Sequence, residues 1–277
     1  MKELIKQQFK DYILGSKDNW LRETGDRFYD APIVKFASAD DPLFEDYKAI
    51  IGKEHLTPEE AFELAFGENS YCGGTVISIA LPINEKIRLS NRSQKEQPSK
   101  EWALNRAYGD EVLLKQFHGY MVELVTELGY KTMAPCASEW FKITRTPTGP
   151  VSNWSERHIA YATGLGTFSL NDGFITEKGM AVRLLSVVTE LELETDIRNV
   201  ESHTENCLFY RKGICGACIR RCPVGAISQL GHDKIKCRNF VYGDESRKLA
   251  VSYGGKWETG AGCGLCQTNV PCECGIP

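Results

Sequence analysis

The residues with the clearest chemical potential are the cysteines. The chain has 277 residues and 11 cysteines. Cys72 and Cys136 stand apart, and the other nine fall between Cys207 and Cys274. Three of them, in "CGACIRRCPVG" (Cys215 to Gly225), have the spacing C-x2-C-x3-C-P. That is the tail of a four-cysteine run, C-x2-C-x2-C-x3-C-P, whose thiolates hold cubane iron–sulfur clusters. The first cysteine of the run is missing, because Lys212 stands in its place. Cys207 can supply the missing thiolate, since the intervening "LFYRKGI" is long enough to loop back.

Each iron of a [4Fe-4S] cube takes one thiolate, so two cubes need eight cysteines and nine are at hand. In a two-cluster run the first three cysteines bind one cube and the fourth crosses to the other. This logic assigns Cys207, Cys215, Cys218 and Cys272 to one cube. It assigns Cys222, Cys237, Cys263 and Cys266 to the second. Cys274 is the spare and an alternative to Cys272. Two C-x2-C pairs also allow a zinc site with four thiolates, and a single cube is a further alternative. The number of cysteines and the C-x3-C-P spacing favour two cubes. A disulfide scaffold fits poorly, because the N-terminus "MKELIKQQFKDYILG" has no apolar export core. Cys72 and Cys136 read as ordinary thiols, of the kind that pack as small hydrophobes.

The elements that would position these groups are partly visible. "TPEEAFELAF" (Thr57 to Phe66) has a capping Thr, Pro at the first helical position and Glu60 three residues after the cap. "TVISIALPI" (Thr75 to Ile83) is uncharged and β-branched, a buried strand. "NEKIRLSNRSQKEQPSK" is polar and reads as a loop. A long helix starts after Ser99 and ends near Gly129, with Trp102, Leu113, Phe117, Met121 and Val125 at helical spacing. A short helix follows Ser155, and "GFITEKGMAVRLLSVVTELELE" reads as a hairpin or two strands turning at Glu177 to Gly179.

These elements predict an α/β (α+β) layered domain followed by a cysteine-rich module with little core of its own, held by metal. The expected division is a helical extension over 1–70, an α/β domain over 71–198 and a two-cluster domain over 199–277. A net charge of −4 argues mildly against a nucleic-acid coat. No apolar run approaches the ~20 residues of a membrane span, and the expectation is a cytoplasmic protein.

The layout resembles the epoxyqueuosine reductases and their relatives, the reductive dehalogenases. "HIAYATGLGTFSLNDGFIT" (His158 to Thr176) is similar to that family's A-G-L-G-W-x-G segment. Cys237, Cys263, Cys266 and Gln267 are similar to its C…C-D-x-C-Q group. The resemblance covers roughly 70–277. It implies a nitroreductase-like α/β domain, a ferredoxin-like module with two [4Fe-4S] clusters, and cobalamin as cofactor, a flavin being the lesser alternative. Gly164, Leu165, Gly166 and Thr167 would then lie beside the corrin. The family's proton-donating aspartate has no counterpart in "APCASEWFKITRTPTGPVSNWSERH", where Glu139 and Glu156 are the only carboxylates. The chain also ends at Pro277 without the helical-repeat tail that helps epoxyqueuosine reductase hold tRNA, which makes tRNA a poor substrate expectation.

Reductive cleavage needs electrons and a proton. The proton-donor candidates are Tyr108, His158 and Tyr161. Tyr108 lies in "ALNRAYGDEVL", similar to the family's R-Y-A-x-G-R-D-Y-H stretch, with Arg106 nearby to lower a phenol's pKa. The favoured reading is a corrinoid-dependent reductase fed by an external donor of ferredoxin or flavodoxin type and acting on a small substrate. The alternative is an electron-transfer or activating partner, for example of a corrinoid protein, with no cofactor in its N-terminal region.

Overall fold

The computed structural model describes residues 1–277. The chain opens with α1 (Lys2–Gly15), then β1 (Ile33–Ser38), α2 (Leu43–Ile50) and α3 (Pro58–Phe66). The α3 capping box forms as expected. The Thr57 hydroxyl accepts from the Glu60 N–H at 3.2 Å, and the Glu60 carboxylate accepts from the Thr57 N–H at 2.9 Å. Strand β2 (Thr75–Pro82) is buried along its whole length, which its unbroken apolar and small residues permit.

Next come α4 (Glu85–Arg92), α5 (Lys100–Leu104), a π-helical stretch over Asn105–Leu113, and α6 (Leu114–Glu127). Ser99 caps α5 by accepting from the Trp102 N–H. Short strand β3 (Thr132–Met133) follows, then the hairpin of β4 (Ile143–Thr146) and β5 (Gly149–Ser152) and helix α7 (Glu156–Ala162). The hairpin of β6 (Gly166–Phe168) and β7 (Phe174–Thr176) leads to β8 (Val182–Thr189). Beyond residue 200 lie four helices: α8 (Leu208–Lys212), α9 (Ala217–Arg221), α10 (Lys234–Tyr242) and α11 (Asp244–Ser252).

The central sheet has the order β1-β2-β8-β3 and is antiparallel throughout. Strand alternation sends Ile77, Ile79, Leu81, Leu185 and Val187 to one face, against Ile5 and Phe9 of α1 and Phe117 and Met121 of α6. The opposite face carries Val76 and Val188 with Phe44 and Ile159. The result is a helix–sheet–helix layering, a mixed α/β fold.

Two expectations change. The first seventy residues are no extension: β1 pairs with β2 from Ile33↔Ala80 to Ser38↔Thr75, and α1 fills the main core. The polar stretch after Ile83 is not a loop but α4, capped by the Asn84 side chain. Its polarity serves a distant partner, because Arg88 and Arg92, one turn apart, both reach Glu273. Of the hairpin or two strands expected around Glu177–Gly179, the structure has the two strands: β7 pairs with β6, and β8 with β2 and β3.

Three histidines are held neutral in this fold. Burial pushes His55 and His118 down to about 4 and His158 down to about 3. The unfolded chain binds protons near pH 6.5 and the folded chain resists them. Stability is therefore complete above that pH and is lost as pH falls, by up to about 1.4 kcal/mol per unit for each histidine. Chemical denaturation at a series of pH values should show the midpoint falling from pH 7 to pH 5, with a shallower fall in His118→Gln.

Candidate functional site

The cysteines sort into two groups of four in space. Cys207 precedes α8, Cys215 and Cys218 flank the start of α9, and Cys272 arrives from the C-terminal segment. All four line one small void with Leu170 and Met180. The Cys272 sulfur lies 3.4 Å from that of Met180. Burial, with Cys207 and Cys215 beside it, pushes the Cys218 thiol up to about 11. Burial, with Cys207 and Cys218 nearby, pushes Cys272 up to about 12.

The second group is Cys222 at the end of α9, Cys237 in α10, Cys263, and Cys266 in the turn Leu265–Gln267. Burial pushes Cys263 up to about 12, with Cys237 and Cys222 adding to it. Cys266 is raised by burial and then by Cys263. The Ala226 N–H points at the Cys222 sulfur, 3.1 Å away. Within the run, Cys215 and Cys218 stay with the first group while Cys222 crosses to the second. Cys274 is exposed and lines neither space. No three side chains converge on one point as ligands of a single ion would.

All four thiols of the second group lie on the wall of a cavity of about 590 Å³ between the α/β layers and the C-terminal segment. Its opposite walls come from the β4–β5 hairpin, the start of α7, the β6–β7 turn and β8. The lining is mainly apolar, with a few charges. Arg183 is spoken for: it holds the Asp110 carboxylate at 2.9 and 3.0 Å, and the Tyr29 hydroxyl donates to the same group. Asp110 comes from the π-helical stretch, an irregularity that often marks functional sites. Arg106, from the same stretch, donates to the Thr259 carbonyl at 2.8 Å. Asp172 meets His232 at 3.2 Å, and burial resists its charge while that bond keeps the carboxyl low.

Two wall residues lack ion-pair partners. Arg157 reaches into the cavity with no hydrogen bond or ion pair inside the chain, and the enclosure lowers its pKa. Glu156 has both carboxyl oxygens sealed from water, turned toward Cys136 and Ser186 rather than onto the cavity. Burial lifts it to about 7, opposed by the nearby Cys136 thiol and Ser186 hydroxyl. No sequence signal marked Arg157, and Glu156 does not sit where the aspartate of the resembled family does.

The other expected site residues lie elsewhere; none of them lines this cavity. Tyr108 is exposed, its hydroxyl donating to the Gly254 carbonyl at 2.8 Å. His158 is neutral, bonded through Nδ1 to Ser155 at 2.8 Å and packed on Tyr47 and Phe168. Tyr161 carries Arg198 over its ring. In the Gly-Leu-Gly stretch, Gly164 turns with φ +75°, and a Cβ on Gly166 would collide with the Ile175 carbonyl across the β6–β7 pair. Leu165 is buried in the core, and the Thr167 hydroxyl accepts from the Asn206 N–H at 2.9 Å. Here the glycines serve strand pairing and packing. Of the two lone cysteines, Cys72 is exposed, not packed, and Cys136 lines the cavity beside Glu156.

Comparison of this architecture with solved structures gives the epoxyqueuosine reductase of Streptococcus thermophilus with a TM-score of 0.54 at 18% identity. The Bacillus subtilis enzyme, solved with its catalytic aspartate loop swung out of the active site, gives 0.52, also at 18% identity. Each match covers 99% of this chain and 66% of the other. A catabolic reductive dehalogenase gives 0.52 at 14% identity over 84% of this chain and 29% of its own. The chain has the epoxyqueuosine reductase fold. It spans just under two thirds of the epoxyqueuosine reductase chains it matches. No family model and no curated protein matches the sequence. No helix is long and apolar enough to cross a membrane.

The placement of Cys272 and Cys274 separates their roles. If the two thiol groups each hold a [4Fe-4S] cluster, Cys272→Ser should lose about half the iron after anaerobic purification, while Cys274→Ser should keep all of it. Iron analysis with electron paramagnetic resonance of the dithionite-reduced proteins would check both.

Proposed function

We propose that this protein is an iron–sulfur reductase that works on a small substrate with a corrinoid in its large cavity. The observation that carries this reading is the position of the second thiol group on the cavity wall, with the first group behind it. The donor sets fit two [4Fe-4S] clusters. Each is four thiols around a space, and burial raises several of their pKa values, so four thiolates require a compensating cation. Cys207, Cys215, Cys218 and Cys272 would hold one cluster, and Cys222, Cys237, Cys263 and Cys266 the other. Loaded in this way, the pair connects the outer face, where Tyr210 and Ile214 are exposed, to the cavity. The electron source would be an external carrier of ferredoxin or flavodoxin type. We read the α/β layers as nitroreductase-like and residues 199–277 as a ferredoxin-like two-cluster module, in a cytoplasmic protein.

Cobalamin, when bound, supplies a cobalt centre able to pass electrons to a substrate. The chain's own part is to enclose the reactants and set their charge environment. Val182 and Phe174 give the cavity apolar walls, and the Arg183–Asp110–Tyr29 network fixes one side of it. Arg157 offers an unpaired guanidinium to an anionic oxygen of a bound group.

A second reading, an electron-transfer or activating partner without a cofactor of its own, is favoured by one observation. The Gly-Leu-Gly segment and the three expected proton donors stand outside the cavity. Titration of the cluster-loaded protein with cobalamin, followed optically, separates the two. The reductase reading predicts saturable binding at about one per chain, weakened roughly tenfold or more by Arg157→Glu, a change of about 1.4 kcal/mol or more. No binding of cobalamin or flavin would select the partner reading.

A further inference from the structure

We propose that the turn after α8 and the end of α9 form the docking face for the electron donor, and that the donor is a small carrier protein with an acidic surface. This rests on the reductase reading above and names its partner. The two thiol groups differ in place. The second lines the large cavity, whereas the first lines a separate small void walled by Leu208 and Phe209 of α8 and by Gly216 at the start of α9. Electrons bound for the cavity would therefore enter at the first group, and the surface over that void decides what can deliver them.

That surface is basic in a chain that is acidic as a whole, with 33 Lys and Arg against 37 Asp and Glu. No acidic residue occurs between Glu205 and Asp233, whereas Arg211, Lys212, Arg220 and Arg221 all do. Arg221 turns inward and donates to the Leu265 and Thr268 carbonyls at 3.1 Å. The other three are exposed. The ion pairs of the cysteine-rich segment use Glu273, His232, Lys234 and Lys248 and none of these three. Two of them flank the first void. Arg211 donates to the Pro277 carbonyl, and Pro277 lines that void. The Arg220 guanidinium lies 3.8 Å from where a Cβ on Gly216 would stand. Between them Gly213, with φ +67°, ends α8 and turns the chain back, leaving Tyr210 and Ile214 exposed. Apolar side chains rimmed by free cations are the anatomy of a protein interface.

Charge complementarity selects the occupant. The nearest acid in sequence, Glu205, is taken up by the Glu201 N–H at 2.6 Å, so the face keeps its sign. A cluster held by four thiolates is net negative, and cations at its rim offset that charge where an acidic partner approaches. Attraction between such a face and an acidic carrier steers encounter, and carriers that must leave again use small, weak contacts. The step moves one electron. The carrier's centre is oxidised by one, a cluster of this chain is reduced by one, and no bond is made or broken.

The test uses the cluster-loaded protein with an acidic [4Fe-4S] ferredoxin as probe. Calorimetric titration of the two oxidised proteins reads binding, and anaerobic stopped-flow mixing with reduced ferredoxin reads transfer. Both should weaken as salt rises from about 0.01 M to about 1 M, where the screening length falls from about 30 Å to about 3 Å. Arg211→Glu with Lys212→Glu and Arg220→Glu should lower affinity and rate at low salt by about tenfold or more. Lys212→Glu alone should act in the same direction by less. Lys10→Glu with Lys17→Glu and Lys53→Glu changes the net charge equally, at exposed positions on α1 and the loops of the α/β layers, and should have a much smaller effect. Equal losses in the two triple variants would overturn the docking face, because net charge alone would then be at work. Normal binding and transfer in the Arg211, Lys212 and Arg220 variant, with only its cluster potential shifted, would overturn it too, the cations then serving the cluster alone. Either result leaves the reductase reading intact. Failure to bind cobalamin, with the face active, would strike the reductase reading alone.

Discussion

The buried carboxylate of Glu273 ties the cysteine-rich segment to the rest of the molecule. It is 1% exposed and accepts from Arg88 at 3.0 Å, Arg92 at 2.7 Å and the Asn269 N–H at 2.7 Å. Two guanidiniums and a backbone donor satisfy the carboxylate that burial would otherwise penalise. Beside it, the Cys272 carbonyl accepts from the Met180 N–H at 2.8 Å, and Gly179 leaves no room for a Cβ against the Glu273 backbone. Asn91 and Arg221 extend the bracket to Cys263, Leu265 and Thr268. These contacts fix Cys272 in the first thiol group and bring Cys263 and Cys266 to the cavity wall.

The anchoring matters because the segment has little else. Its hydrophobic cluster is small and consists largely of cysteine sulfur beside Leu170, Ile175, Met180 and Val270. With the proposed clusters bound, such a region would gain order from metal binding, and its folding would be coupled to cluster assembly. The α/β layers, in contrast, rest on a continuous core on one face of the sheet and smaller ones on the other. The rigid layers hold one wall of the cavity and the cluster segment holds the other. Of the charges within, Arg183 and Asp172 are paired and Arg157 is not.

Much of this was legible where chemistry is local. The Thr57 and Ser99 caps and the buried strand at Thr75 each follow from a few adjacent residues. What escaped depends on partners far along the chain. Helix α4 looked like a solvated loop because Arg88 and Arg92 find their carboxylate some 180 residues later. Strand β1 was hidden in a polar, helix-rich stretch and is defined by its pairing with β2. At α7 the sequence does not say which face meets the cavity. Arg157 does so, while the Glu156 carboxyl turns to Cys136 and Ser186 and His158 to Tyr47. Gly166, which suggested a ligand, answers to the tight β6–β7 pairing.

The account stands on eight thiols acting as two sets of four. The direct test is iron, acid-labile sulfide and zinc per chain after anaerobic purification. Two [4Fe-4S] clusters predict about eight irons and about eight sulfides with negligible zinc. About four irons, or zinc in place of iron, would contradict it.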